Sequence, residues 1–181
     1  MNETRAVRIS KYLSKHLRHQ PEALGLTLEP GGWVAVDTLL DACKRHHFVV
    51  TRAELDWVVA NNPKQRYSYD PTKTMIRANQ GHSVEVDLML EPIEPPPLLY
   101  HGTGEQSVAA ILDSGLHKMK RQHVHLSLDV QTARMVGARH GRPSILTVDA
   151  EAMHRDGHVF YRSENGVWLV DHVPASYLRR L

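Results

Sequence analysis

Apolar positions recur at helical spacing from the start of the chain. Ala6, Ile9, Leu13 and Leu17 fall on one side of a wheel turned by about 100° per residue, which predicts a helix from about Thr4 to Gln20. Thr4 is its expected cap, and Pro21 ends it. The pattern breaks at Pro21–Gly25 and again at Gly31-Gly32. Trp33 to Val36 reads as a short strand, and Asp37 as the cap of a helix running to about His46. Thr51 with Glu54 is a capping-box pair for a third helix, about Arg52 to Asn61, with Trp57 expected in the core. Arg66 to Asp70, a Pro71 turn and Thr74 to Ala78 then read as a β-hairpin.

Residues 91–97 read EPIEPPP, and their four prolines forbid regular structure. A domain boundary is expected there, with one lobe over 1–91, a linker over 92–97 and a second lobe over 98–181. The second half has its own rhythm. Leu98-Leu99-Tyr100 is a short apolar strand, and a helix follows over about Gln106 to Ser114, with Gly115 placed to stop it. An alternating strand carries His123, His125 and Ser127, and Asp129 to about His140 is expected to be helical. Ser144–Val148, Val159–Tyr161 and Val167–Val170 are further strands. The class is α+β. Neither the G-x-G-x-x-G fingerprint nor a P-loop is present, which argues against a Rossmann domain. Three helices followed by a hairpin look like a winged-helix module; many such modules bind nucleic acid and others bind only protein.

Composition narrows the class further. With 181 residues and 41% apolar content, the chain can bury one or two sizeable cores. Its single cysteine, Cys43, excludes an internal disulfide framework and a Cys-rich zinc finger. No stretch is long enough to cross a bilayer, and the first residues have no apolar signal core, so a cytoplasmic protein without a membrane partner is expected. A net charge of only +2 says little about partners. Local charge says more. Arg8, Lys11, Lys15, Arg18 and His19 share one stripe of the first helix with no acid between them, which suits a polyanion such as an RNA backbone. The ordinary alternative is a solvated face.

The candidate chemistry gathers in the second half. His101-Gly102-Thr103 ends one strand, and Arg121, His123, His125 and Ser127 lie on or beside another. Gly102 would let a ligand approach the backbone closely. His123 and His125 point the same way on a strand, but no cysteine or carboxylate with ligand spacing joins them, so no metal is expected. In the first half, Arg66 lies at the base of the hairpin, and Gln80-Gly81-His82-Ser83 is a donor-rich turn suited to substrate contact.

The ordered set of motifs resembles the NAD-dependent RNA 2'-phosphotransferases of the KptA family over nearly the whole chain. The motifs are residues 10–19 (SKYLSKHLRH), Gly32-Trp33-Val34, Lys64-Gln65-Arg66-Tyr67 and Gln80-Gly81-His82-Ser83. They continue in His101-Gly102-Thr103, Arg121 with 123–127 (HVHLS), 136–141 (VGARHG) and Asn165-Gly166-Val167-Trp168. Tyr67 is a mild departure, since the family often has Phe after the arginine. The resemblance implies an N-terminal winged-helix-like RNA-binding lobe and a C-terminal, strand-rich ADP-ribosyltransferase-like lobe. It also implies NAD as co-substrate, no metal, and a monomer acting on RNA that carries a 2'-phosphate, tRNA-like in the family and tied to tRNA splicing or RNA repair. It carries catalytic roles to Arg18, His19, Arg66 and Arg121, with Arg139 the rival for the last place. NAD contacts fall to His101, Gly102, Thr103, His125, Ser127, Arg139 and Val167. RNA contacts are expected from Arg8, Lys11, Lys15, His82 and Ser83.

The implied reaction proceeds through an ADP-ribosylated 2'-phospho-RNA intermediate. It ends with 2'-hydroxyl RNA, ADP-ribose 1'',2''-cyclic phosphate and nicotinamide. The residue types suit it. A phosphate nucleophile is already an anion, so a hydrophobic Val167 can stand where a carboxylate would repel it. Arginine forks match phosphate oxygens in shape and charge. An imidazole ordinarily titrates near neutrality, so His19 can offer a hydrogen bond or a proton. Two alternatives stay open: ADP-ribosylation of phosphorylated RNA or DNA ends that stops after the first step, and a non-catalytic winged-helix regulator that senses ADP-ribose.

Overall fold

The first helix, α1 (Glu3–Ser14), begins ahead of the expected cap: Asn2, not Thr4, accepts the Arg5 N–H at 2.8 Å. The computed structural model describes residues 1–181, and they divide into two compact units, Met1–Met89 and Leu90–Leu181. Helix and several small antiparallel sheets make the chain α+β. No helix is long and apolar enough to cross a membrane.

In the first unit, α1 buries Ile9 and Leu13. The helix then widens into a π-helical segment, Lys15–His19, which buries His16 and Leu17 and closes with the Gln20 N–H on Lys15 O at 2.8 Å. The change of phase matters, because a wheel of uniform pitch no longer places the residues beyond Ser14. Arg8, Lys11 and Lys15 are exposed, whereas Arg18 is half-buried. Strand β1 (Val34–Ala35) leads directly into α2 (Val36–Arg45). Here Ala35 is the N-cap, so Asp37 lies inside the first turn, where a carboxylate favours the positive end of the helix dipole. Helix α3 (Arg52–Asn61) carries the expected box, with Glu54 N–H donating to Thr51 Oγ1 and Thr51 N–H to Glu54 Oε2, each at 3.1 Å. Strands β2 (Tyr67–Tyr69) and β3 (Met75–Ala78) form the hairpin, and β3 is central in the order β1-β3-β2. Leu17, Leu39, Leu55 and Ile76 lie at the heart of this core. Trp57 does not join it. Leu55 and Val58 take the inward face of α3, which leaves Trp57 40% exposed.

In the second unit, the proline-rich stretch has no helix or strand, but it is tied down. Ile93 N–H donates to Phe160 O at 2.9 Å, and Glu151 N–H to Pro97 O at 3.1 Å. Strand β4 (Leu98–Gly104) is followed by α4 (Val108–Ser114), β5 (Leu116–His117), β6 (Val124–Leu126) and α5 (Val130–Gly137). The unit continues with β7 (Pro143–Asp149), α6 (Ala150–Arg155), β8 (Phe160–Arg162), β9 (Trp168–Val170), β10 (His172–Val173) and β11 (Leu178–Arg180). Three sheets result, in the orders β11-β7-β4, β6-β9-β8 and β10-β5. A bridge joins the first two: Tyr100 and Ser127 exchange backbone bonds of 2.9 and 2.7 Å. Leu99, Leu126, Leu146 and Phe160 fill the core beneath.

Gly102 has a structural duty here. A Cβ on it would overlap the Ala133 carbonyl oxygen of α5 and stand 2.9 Å from Gly137 N. The space expected for a ligand is therefore filled by helix backbone, and Gly102 with Gly137 lets α5 pack tightly on β4.

Candidate active site

The first unit gathers three of the expected residues around one hydrogen-bonded network. The π-helical segment brings Arg18 onto the turn after β3, where its Nε donates to Gln80 O at 2.7 Å and its Nη1 to Ser14 Oγ at 3.1 Å. The Arg18 carbonyl accepts from Ser83 N–H at 2.9 Å, and His19 Nδ1 lies 2.9 Å from Ser83 Oγ. Arg66 is pinned on both sides of its backbone. Its N–H donates to Asn62 Oδ1 at 3.3 Å, and its carbonyl accepts from Asn79 N–H at 2.8 Å.

Tyr67 ties the hairpin to α1 between the segments that carry the two arginines. Its hydroxyl donates to Ser10 O at 2.5 Å, and Ser10 Oγ accepts from Asn62 Nδ2 at 3.2 Å. Burial raises the Tyr67 pKa, while the charges of both Arg18 and Arg66 pull it down, so both guanidiniums act on this one hydroxyl. The tyrosine at this position thus supplies a polar link that phenylalanine would lack.

Gly81 (φ +87°) and His82 behave differently from a surface turn. The Gly81 side that would carry a Cβ is filled by the Arg18 guanidinium. His82 is 0% exposed, and neither ring nitrogen has a hydrogen-bond partner. Burial, assisted by the charges of Arg18, His19 and Arg77, pushes its pKa down to about 4, so the ring is neutral near pH 7. The RNA contact expected from the His82 side chain has no open path to solvent in this arrangement, whereas Ser83 is exposed.

The second unit builds its cluster on the Tyr100–Ser127 bridge. His101 Nδ1 lies 3.2 Å from His125 O, so Nδ1 carries the proton and Nε2 is an acceptor. Arg121 Nη1 lies 3.1 Å from His125 Nδ1. A guanidinium only donates, so His125 is neutral and holds its proton on Nε2. The two rings present one acceptor and one donor nitrogen. Burial, with the nearby His140 and Arg121 charges, lowers the His101 pKa against the opposing bond to His125 O. Thr103 is buried and Ser127 half-buried on the bridged strands. Val167 is half-buried just before β9, whose Leu169 pairs with His125. Arg139 is exposed on the short turn after α5. Of the two rival arginines, Arg121 is the one joined to the histidine pair.

Sequence reading missed the residues that hold these groups: Ser14 and Gln80 behind Arg18, and Asn62 and Asn79 around Arg66. Asn62-Pro63 carried a usable signal, since Asn before a proline turn often bonds the backbone just after it. Ser14 and Asn79 had none, because their partners are distant in sequence or depend on the π-helical phase.

These features define a two-unit α+β protein with an arginine–histidine cluster in one unit and a histidine–hydroxyl cluster in the other. Residues 4–172 match the model of the family described as "RNA 2'-phosphotransferase, Tpt1 / KptA family", and the chain belongs to that family. It is 65% identical to a "Probable RNA 2'-phosphotransferase" of Trichormus variabilis and 60% identical to one of Nostoc punctiforme, each over the full length of both chains. A protein of the same description from Streptomyces coelicolor is 58% identical, covering 99% of this chain and 97% of that one.

Proposed function

We propose that this chain transfers an internal RNA 2'-phosphate to NAD, giving 2'-hydroxyl RNA, ADP-ribose 1'',2''-cyclic phosphate and nicotinamide. The observation that carries the reading is the gathering of Arg18, His19 and Arg66 around the Ser10–Ser14–Tyr67 network. The Arg18 guanidinium, already fixed by Gln80 O and Ser14 Oγ, binds a phosphate with little further ordering, and Arg66 is held beside it through its backbone. His19, braced by Ser83, donates to the phosphate or to the departing 2'-oxygen. The element order α1-β1-α2-α3-β2-β3 with sheet order β1-β3-β2 supports the winged-helix reading of the first unit. Arg8, Lys11 and Lys15 supply an exposed cationic stripe for the RNA backbone.

NAD, when bound, supplies an electrophilic ribose carbon and the hydroxyl beside it. The donor set of the second unit fits such a group. His101 Nε2 accepts from a sugar hydroxyl, His125 Nε2–H donates, and the Thr103 and Ser127 hydroxyls can do either. Both rings are neutral, so they orient the sugar without adding charge. Arg121, held against His125, offers a guanidinium to phosphate oxygens beside the two rings.

Product analysis tests the reading. Purified chain is incubated with NAD and a short RNA bearing one internal 2'-phosphate, with a chelator present. The expected products are 2'-hydroxyl RNA and the cyclic phosphate. ADP-ribose left on the RNA would show that only the first transfer occurs. Intact NAD together with tight duplex DNA binding would point to a regulator.

A further inference from the structure

Trp57 and Val7 are large apolar side chains exposed in the first unit, at 40% and 45%. They line one groove of about 520 Å³ between α1 and α3. Its floor includes Val58 and Pro63, and its cationic members are Lys11 and Arg66. Glu3 is its single carboxylate. The groove is thus an apolar slot with positive charge at the edge, and it runs into the cluster described above through Arg66. Ser10 and Asn62, which belong to that cluster, also line it.

We propose that this groove seats the base of a nucleotide next to the phosphorylated one in single-stranded RNA, stacked on Trp57, with Lys11 on the adjoining phosphodiester. The proposal rests on the RNA reading given above. An indole offers a flat face that any base can stack on, and a neighbouring ammonium matches the phosphodiester charge. The polar groups of the groove argue for tolerance of base identity. Asn61 Nδ2 is bonded to Trp57 O at 2.9 Å, and Asn62 uses its amide on Ser10 Oγ and on the Lys64 and Arg66 N–H groups. The Asn62 amide, occupied at both ends, has little left to read a base edge. The subsite therefore favours RNA length over RNA sequence.

Two readouts test it. Anisotropy of a fluorescein-labelled single-stranded oligoribonucleotide without 2'-phosphate measures binding apart from catalysis. Trp57→Ala is expected to weaken it on the order of tenfold, Trp57→Phe to restore most of the loss, and Val7→Glu to weaken it by repelling the phosphodiester. Thermal midpoints serve as the folding control, since both positions are exposed. Turnover of a 2'-phosphorylated oligonucleotide is then compared with that of a mononucleoside 2'-phosphate. Trp57→Ala is expected to lower the kcat/KM ratio between them by a similar factor. Unchanged oligonucleotide affinity in both Trp57→Ala and Val7→Glu overturns the proposal. So does an altered sedimentation coefficient with RNA affinity intact, which would make the groove a protein interface. If Trp57→Ala weakens binding while the unaltered chain turns over neither substrate, the groove stands and the phosphotransfer reading falls.

Discussion

Replacing Gly81 by alanine asks whether the turn after β3 sets the position of the Arg18 guanidinium. A Cβ at Gly81 would stand 2.6 Å from Arg18 Cζ and 2.8 Å from its Nε. Two costs follow, of different kinds. The backbone there has φ +87°, and a Cβ in that region costs about 1–2 kcal/mol, or about 2–4 °C in Tm per kcal/mol for a chain of this size. The steric cost to stability is small, because the obstructing atoms end a flexible side chain. The functional cost is larger. Arg18 must leave Gln80 O and Ser14 Oγ, and displacement of a phosphate-holding group by about 1 Å costs on the order of 10² in rate. The expected result is a kcat/KM about 10²-fold lower in a folded protein. A double-mutant cycle with Arg18→Ala supplies the decisive comparison. If Gly81 acts through Arg18, the double variant loses no more than Arg18→Ala alone. A Gly81→Ala enzyme within about threefold of the unaltered rate, or losses that multiply in the double variant, would refute the reasoning.

Other consequences follow from the same geometry. Arg121→Ala should lower kcat/KM by about 10²–10³, well beyond the loss in Arg139→Ala, since Arg121 alone of the two is joined to His125; steady-state kinetics on both variants checks the ranking. Gly102→Ala meets the immovable Ala133 carbonyl and should cost about 1–3 kcal/mol, read as a fall of several degrees in Tm. His82 titrates near pH 4 when folded and near its ordinary 6.5 when unfolded. The unfolded chain therefore binds more protons between these values, and stability falls as pH drops from about 6.5 to 4, by on the order of 3 kcal/mol. Urea unfolding at a series of pH values should show this slope, and His82→Gln should flatten it.

Helices with full apolar periodicity or a complete box were legible from sequence, and α3 is the clearest case: Thr51 and Glu54 marked its start. The starts of α1 and α2 were misplaced because Thr4 and Asp37 are good capping residues standing just inside helices that Asn2 and Ala35 begin. The π-helical segment left no periodic trace, yet it carries Arg18 and His19. The short strands β5, β10 and β11 are held by long-range pairing, so local pattern could not announce them, whereas α6 carried a local signal in its cap Asp149 that was overlooked. Trp57 was misjudged because size and hydrophobicity imply burial, while α3 had already used Leu55 and Val58 for its inward face. Among the candidate site residues, the arginines and histidines were visible as motifs. What was hidden was part of their support, since Asn79 acts on Arg66 through the hairpin and Ser14 on Arg18 through the π-helical phase. The buried state of His82 was hidden for the same reason.

The central claim is that phosphate leaves the RNA only by transfer to NAD. The direct measurement follows a single RNA with one labelled internal 2'-phosphate, with and without NAD, and counts labelled nucleotide product against nicotinamide released. No loss of label is expected without NAD. With NAD, one ADP-ribose 1'',2''-cyclic phosphate and one nicotinamide are expected for each 2'-hydroxyl formed. Release of free inorganic phosphate, or removal of the 2'-phosphate at the same rate without NAD, would contradict it.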